Sequence, residues 1–332
     1  MEKEKISIIV PAYNAEKTIE RTLKSILGGG YKNIEVLVIN DGSNDNTENI
    51  VNKIVGQDGR VQMISQKNLG VGVAKSIGVQ KSIGDYIAFC DSDDWFDANY
   101  LQEHMKHLKT YSAEISMCRT QATNQKDTGN SDKIEIIEKQ DIVKNYVNYE
   151  GISVSLCDKV FKREVLDTDE TFNHLRYSED LYMNYIACKN ANRIVKFNTT
   201  KYNWFNNLNS LSRGKFNPIK LECDFDAWDK IIKDCQINYP ELEERARLSS
   251  ELWICGTYRL MVTKHYHDKK QESMIANYIR KDGKKVLKAE KNKRNKVFLS
   301  VAYVSFPLAR IIWYTMNGCK EGIKKIVRKR NA

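Results

Sequence analysis

Four short apolar runs set the frame of this chain: Ile6 to Val10, Ile34 to Ile39, Val61 to Ser65 and Tyr86 to Cys90. The first three are each followed by a polar turn and then a helical pattern. Pro11-Ala12-Tyr13-Asn14 follows the first run, and Ile19, Leu23, Ile26 and Leu27 then share one helical face, with Asn14 placed to cap it. The second run ends in Asn40-Asp41-Gly42-Ser43, a turn sequence, before a helix carrying Thr47, Ile50, Val51 and Ile54. The third leads through Gln66 to Gly72 into a helix from about Val73 to Ser82. Strands and helices alternating across short loops predict an α/β fold with a Rossmann-like, mostly parallel sheet flanked by helices. Ligands bind such sheets at the carboxyl ends of the strands, and Pro11, Asp41, Asn68 and Asp91 all fall there.

The fourth run delivers Asp91-Ser92-Asp93-Asp94-Trp95, three carboxylates within four residues. In extended geometry Asp91 and Asp93 share a face while Asp94 turns away. Hard carboxylate oxygens suit magnesium or manganese, ions that hold diphosphates. The same residues also suit a solvated acidic turn that ends a strand and caps the next helix. Further on, Ser178-Glu179-Asp180 precedes Leu181, Tyr182, Tyr185, Ile186 and Cys188, a helical pattern with Ser178 as N-cap. Its two acids either complement the helix dipole or do chemistry.

Taken in order, Ile8-Ile9-Val10-Pro11-Ala12-Tyr13-Asn14, Val38-Ile39-Asn40-Asp41-Gly42-Ser43, Asn68-Leu69-Gly70-Val71, Gly84-Asp85-Tyr86-Ile87 and the Asp91 to Trp95 run form a series. It continues through Lys159-Val160-Phe161-Lys162-Arg163, Tyr177-Ser178-Glu179-Asp180-Leu181 and Asn209-Ser210-Leu211-Ser212. Over about residues 5 to 214 this series resembles the family 2 glycosyltransferases with a GT-A fold. The resemblance implies an inverting transfer of a sugar from a nucleotide diphosphate donor to an acceptor hydroxyl. A sugar hydroxyl is a weak nucleophile and needs a positioned base, and a departing diphosphate needs a cation.

By the resemblance, Asp180 is the catalytic base and Glu179 its neighbour that helps orient the acceptor. Asp93, with Asp91, holds Mn2+ or Mg2+. On the donor side the resemblance places Asp41 against a uracil ring, Pro11, Ala12 and Tyr13 beside the base, Asp91 near the ribose, and Ser92 and Asn68 as further contacts. Trp95 either stacks on a sugar as part of the acceptor site or is a core or rim tryptophan. This sequence departs from the family pattern at three places. Ala74-Lys75-Ser76 stands where Ala-Arg-Asn is frequent, so a guanidinium fork toward the donor becomes a point charge at Lys75. Asp158 replaces an asparagine before Lys159. Trp204-Phe205 replaces a Tyr-Arg pair, leaving Arg213 to supply a cation on the diphosphate side.

A chain of 332 residues exceeds one such domain. The expected division is a GT-A donor-binding and catalytic domain over 1–216, a helical region over 217–292 beginning near Pro218, and a basic amphipathic tail over 293–332. Trp228, Ile231, Ile232 and Cys235 form one apolar stripe there, and Leu252, Trp253, Cys255, Leu260 and Met261 another. From Lys264 onward there are 19 Lys and Arg against 5 Asp and Glu, leaving 34 against 38 in the rest. Val297 to Met316 is apolar and aromatic, but Arg310 and Pro307 argue against a membrane span. The tail is expected either to lie on the anionic inner face of a membrane or to dock on protein, the catalytic domain or a second subunit. No base-reading motif accompanies the lysines, which argues against nucleic acid.

None of the eight cysteines pairs as Cys-x-x-Cys, and no apolar segment precedes the first strand. Both features predict a cytoplasmic enzyme peripheral to the inner membrane face. The expected donor is a UDP-sugar and the expected acceptor a growing cell-surface or lipid-linked glycan. Two other functions fit such a sheet: a nucleotidyltransferase, which would want a glycine-rich phosphate loop that Pro11 to Glu16 lacks, and a catalytically silent nucleotide-sugar or membrane-binding scaffold.

Overall fold

The computed structural model describes residues 3–123, 125, 129, 131–166, 176–205, 216–279, 283–290 and 292–315. The chain divides into two compact units, Met1–Ser210 and Leu211–Ala332.

The first unit follows the predicted alternation: β1 (Ile6–Ala12), α1 (Ile19–Gly28), β2 (Ile34–Asn40), α2 (Thr47–Val55), β3 (Val61–Ser65), α3 (Val71–Lys81) and β4 (Tyr86–Phe89). It continues with β5 (Trp95–Phe96), α4 (Tyr100–Thr110), β6 (Ile115–Ala122), β7 (Ser131–Glu138), α5 (Lys139–Val147), β8 (Lys159–Lys162), α6 (Arg163–Leu166), α7 (Glu179–Asn190) and β9 (Arg193–Trp204). One nine-stranded sheet runs β3-β2-β1-β4-β8-β6-β9-β5, with β7 also on β9. As expected, β3, β2, β1 and β4 are parallel. Beyond β4 the sheet is mixed: β8 is antiparallel to β4 and β6, whereas β6 and β9 are parallel.

Register fixes where the site must be. Ala12 pairs with Asn40, Asn40 with Ser65, and Ile9 with Phe89, so the four strands end along one edge. The antiparallel pairing of Ala88 with Val160 brings the start of β8 to the same edge. All seven residues of β1 and of β2 are buried. A fully buried Val, Leu or Ile contributes about 1.5–3 kcal/mol, so this central pair anchors the edge.

Three local expectations are corrected. Asn14 does not cap α1, because residues 15–18 make a separate turn in which Ala15 O accepts from the amides of Thr18 and Ile19. Instead Asn14, at φ 50°, links to the next loop: its amide donates to Ser43 Oγ (3.0 Å) and its Oδ1 accepts from the Asn44 amide (2.8 Å). Ser178 does occupy the N-cap of α7, but at φ 60° and with no side-chain cap bond. Asp91 to Asp94 are not extended. They form a turn closed by the Asp94 amide on Asp91 O at 3.0 Å.

The second unit is helical: α8 (Ile219–Asn238), a 3-10 turn (Pro240–Leu242), α9 (Glu243–Thr263), α10 (Lys269–Ile279), α11 (Gly283–Ala289) and α12 (Lys293–Ala302). Trp228, Ile231, Ile232 and Cys235 are buried, as their stripe predicts. Asp224 is buried among them, accepting from Trp253 Nε1 (2.8 Å) and Thr257 Oγ1 (2.5 Å) and pairing with Lys220. The stretch from Val297 is not one helix. It breaks at 303–305 and resumes over 306–315. Phe298, Leu299, Ala302, Phe306 and Ala309 pack into a core with Ile254, Tyr258, Met261 and Ile275. Among the described residues no helix is long and apolar enough to cross a membrane.

Candidate active site

The turn after β4 is held almost entirely through its backbone and through Asp94. Thr22 Oγ1, buried on α1, donates to Ser92 O (3.0 Å) and Asp94 O (2.7 Å). Arg21 Nη2 donates to Asp93 O (2.5 Å), and its guanidinium lies 4.4 Å from the Trp95 ring centre and 4.8 Å from that of Phe205. Tyr202 OH accepts from the Asp91 amide (3.1 Å) and donates to Asp94 Oδ2 (2.5 Å), while Asp94 Oδ1 accepts from the Phe205 amide (2.7 Å). Burial, reinforced by Asp91, pushes the Asp94 carboxyl up to about 8. Asp94 is thus a structural peg, held by the Tyr202 hydroxyl and the Phe205 amide. The turn carries Asp91 and Asp93 on a rigid base, and one face of Trp95 is covered by Arg21.

Glu179 and Asp180 open α7 and meet Lys75 from the first turns of α3. Lys75 Nζ lies 2.9 Å from Glu179 Oε1 and 2.5 Å from Asp180 Oδ1. Burial by itself would push the Lys75 ammonium down, but Asp180, Glu179 and Asp91 together hold it well above the ordinary lysine value. Burial pushes Glu179 up to about 7 against the pull of Lys75. Burial also raises Asp91, with Lys75 opposing and Asp180 and Asp93 adding to the shift. One ammonium therefore lets carboxylates from positions 91, 179 and 180 share a site. Removing such a buried counter-charge costs about 3–5 kcal/mol. The lysine expected beside the donor is engaged by the two acids of α7. Asp180 is the accessible one, its side chain 32% exposed against 9% for Glu179.

The residues expected on the nucleotide side lie around Asp41. Its amide donates to Ala12 O (2.8 Å), so Pro11 and Ala12 of buried β1 lie directly beside it, while Tyr13 is exposed at the rim. Its Oδ1 accepts from Gln66 Nε2 (2.7 Å) and the Leu69 amide (2.8 Å), and its Oδ2 from the Gly70 amide (2.9 Å). Gly42, at φ 73°, passes so close that a Cβ would meet the Asn68 amide nitrogen at 2.9 Å. On the far side Asp158 takes the Ser153 hydroxyl (2.5 Å) and pairs with buried Lys159 (2.8 Å), so the acid before that lysine is neutralised by it. Asn184 Nδ2 of α7 donates to Ser153 O (2.7 Å). A cavity of about 300 Å³ lined by Met117, Arg119, Ser153, Asp158 and Lys196 lies along β6.

Arg213 and the Asn209 to Ser212 motif lie outside the described residues. Arg21, Thr22, Gln66, Arg176 and Tyr202 were missed by sequence reasoning. Only Arg176 carried a usable signal, four residues ahead of Asp180. For a divalent cation the donor set is hard oxygen from Asp91 and Asp93, two acids close enough for one to shift the other. Among the described residues no cluster of three His, Cys, Asp or Glu is poised to hold a metal. That set fits an ion bound through one or two carboxylates with substrate phosphates supplying the rest, as magnesium sites are often built.

Residues 7–169 match the model of Glycosyl transferase family 2. The chain carries a family 2 glycosyltransferase domain. The domain's relatives include glycosyltransferase GlyA of Streptococcus pneumoniae, 28% identical over 63% of this chain and 32% of that protein. The putative glycosyltransferase EpsH of Bacillus subtilis is 29% identical over 64% of this chain and 63% of its own length. The chain thus spans less than two thirds of either relative. In fold it is similar to S. aureus TarS 1-349, solved in complex with UDP-GlcNAc, with TM-score 0.66 at 17% identity over 95% of this chain and 92% of that one. The fold is GT-A, with helices on a mixed sheet and further helices after it.

Proposed function

We propose that this glycosyltransferase moves a sugar from a UDP-sugar to an acceptor hydroxyl of a growing, membrane-linked glycan, with inversion. The observation that carries this is the meeting of Lys75, Glu179, Asp180 and Asp91 at the edge where Asp41 also lies. Asp180 Oδ1 is fixed by Lys75, which leaves Oδ2 to take the acceptor proton. As that proton leaves, the acceptor oxygen bonds to the anomeric carbon. The carbon–oxygen bond to the diphosphate breaks, and its electron pair departs with the diphosphate. Lys75 holds Asp180 in place for this task. A divalent cation held by Asp91 and Asp93 would supply charge neutralisation for the leaving group. Buried Glu179 acts through Lys75 and α7. Asp41 is the uracil acceptor on this reading, and the UDP-GlcNAc held by TarS, a protein of like fold, supports the choice of nucleotide.

A silent scaffold would have no use for a buried cation devoted to two acids. Asp180→Asn should lower transfer by about 10²–10⁴-fold, the range of a general base, while UDP affinity measured calorimetrically stays near wild type. Screening UDP-, GDP- and dTDP-sugars for slow hydrolysis with and without chelator tests the rest. A guanine preference would displace Asp41 from its role, and indifference to chelation would displace Asp93.

The second unit bears on where the acceptor is met. Val297, Val304, Leu308 and Ile311 are exposed within 293–315, with exposed Lys293 and Lys296 at its start. Exposed apolar side chains beside lysines suit an anionic lipid surface, each lysine there adding about 1 kcal/mol. Sedimentation with phosphatidylglycerol vesicles but not phosphatidylcholine, weakened by Val304→Glu, is the expected result.

A further inference from the structure

Gly70 is where the donor loop touches the segment leading to the base. Its φ is 101°, and a Cβ there would lie 3.1 Å from Arg176 Cβ and 3.3 Å from Arg176 Cα. That close approach needs a glycine. Arg176 Nε donates to Leu69 O (3.0 Å), and its Nη2 donates to Asn68 O (3.2 Å) and reaches Asn68 Oδ1 (3.4 Å). The amides of Leu69 and Gly70 point the other way, to Asp41. The loop is therefore clamped from two sides, its amides by a carboxylate and its carbonyls by a guanidinium. Gly70 opens α3, and Lys75 on α3 holds Asp180. Arg176 stands four residues before Asp180. The contacts close a ring: Asp41, the loop, α3, Lys75, Asp180 and back along the chain to Arg176.

We propose that Arg176 is a positioning residue that couples nucleotide occupancy at Asp41 to the placement of the base, an inference that rests on the glycosyl-transfer reading above. A carboxylate offers about four lone-pair sites, and three of those on Asp41 are already taken within the protein. A nucleotide N–H docking there must share the carboxylate with the Leu69 and Gly70 amides. The planar fork of Arg176 transmits any resulting shift of the Asn68 and Leu69 carbonyls, which a flexible lysine would not. Through Tyr177 and Ser178 the shift reaches the first turn of α7, where Asp180 sits.

The test compares Arg176→Ala and Arg176→Lys with wild type and Asp180→Asn. In Arg176→Ala, kcat should fall by about 10²-fold, the cost of roughly 1 Å of misplacement, and donor KM should rise with it. Arg176→Lys should recover only part of the loss. Millimolar guanidinium should rescue Arg176→Ala and leave Asp180→Asn inactive. Independently of turnover, amide exchange at Leu69 and Gly70 should quicken in Arg176→Ala while that of Ile9 does not change. Unchanged kcat and KM in a folded Arg176→Ala, or unchanged exchange at Leu69 and Gly70, overturns the proposal. If wild type turns over no nucleotide sugar, the functional reading fails and the exchange measurement still decides the clamp.

Discussion

The two halves of the nine-stranded sheet are built from different materials. In the parallel half, β1 and β2 contribute fourteen buried residues, of which only Ser7, Glu35 and Asn40 are polar or charged. The mixed half around β8, β6 and β9 buries Asp158 and Lys159, His104 and His107, Ser116, Tyr202 and the nearby Asp94. Aliphatic burial is non-directional and forgives small changes of shape. A buried polar group works only with a specific partner at a specific distance, and losing the partner leaves its full desolvation cost exposed. The halves should therefore fail in different ways.

The largest difference is expected at Lys159. It is fully buried, and its ammonium serves Asp158 Oδ1 (2.8 Å), Ser153 O (3.0 Å), Ser153 Oγ (2.7 Å) and Ser155 O (2.6 Å). Lys159→Met keeps the bulk and strands the Asp158 charge, so urea unfolding should show a loss of about 3–5 kcal/mol. A loss under 1 kcal/mol would mean that the mixed half is held by packing after all.

Next comes pH. Burial, reinforced by His107 and Lys159, holds the His104 imidazole well below its usual 6.5, and His107 is also depressed. Around His104 lie Ser116 Oγ at 2.6 Å, Tyr100, Phe197 and His107, with no carboxylate among these contacts to welcome a proton. Below about pH 6.5 the unfolded chain binds a proton that the folded one refuses. Stability therefore rises with pH there and falls on acidification, by up to about 1.4 kcal/mol per pH unit for each such histidine. His104→Phe should flatten this slope in denaturation curves between pH 5 and 7. An unchanged slope would assign the acid sensitivity elsewhere.

The same contrast decides what could be read from the sequence. The parallel half was legible because its signals are local: strand-length apolar runs, helical spacing, and Asp41-Gly42 at a turn. Helices α1 to α3 begin or end within a few residues of their expected positions. The mixed half, and its junction with the parallel half, join residues far apart in sequence: Tyr202 with Asp94 across 108 positions, and Lys75 of α3 with Asp180 across 105. Residue types do not announce such partners. The residue types therefore point Lys75 toward the donor rather than Asp180, and they read the Asp91 to Asp94 segment as extended because nothing local reveals the Thr22 hydroxyl that holds its carbonyls. The family pattern supplied Asp180 and Asp93 as candidates, whereas Arg176, Thr22 and Tyr202, which position the site, came only from the geometry.

The smallest expected effect sits in the aliphatic half. Ile9 is fully buried in β1 between Leu37 of β2 and Phe89 of β4, and its side chain lies where a Cβ on Gly78 of α3 would go. Ile9→Val removes one methylene group and leaves every hydrogen bond in place. Its cost should be about 0.5–1.5 kcal/mol, set by how far α3 settles into the gap. Because α3 also carries Lys75, that settling is the one route by which a purely apolar change could reach Asp180. If Ile9→Val costs more than Lys159→Met, or lowers kcat while stability holds, then the two halves are not separate materials, and α3 transmits packing strain directly into the carboxylate cluster.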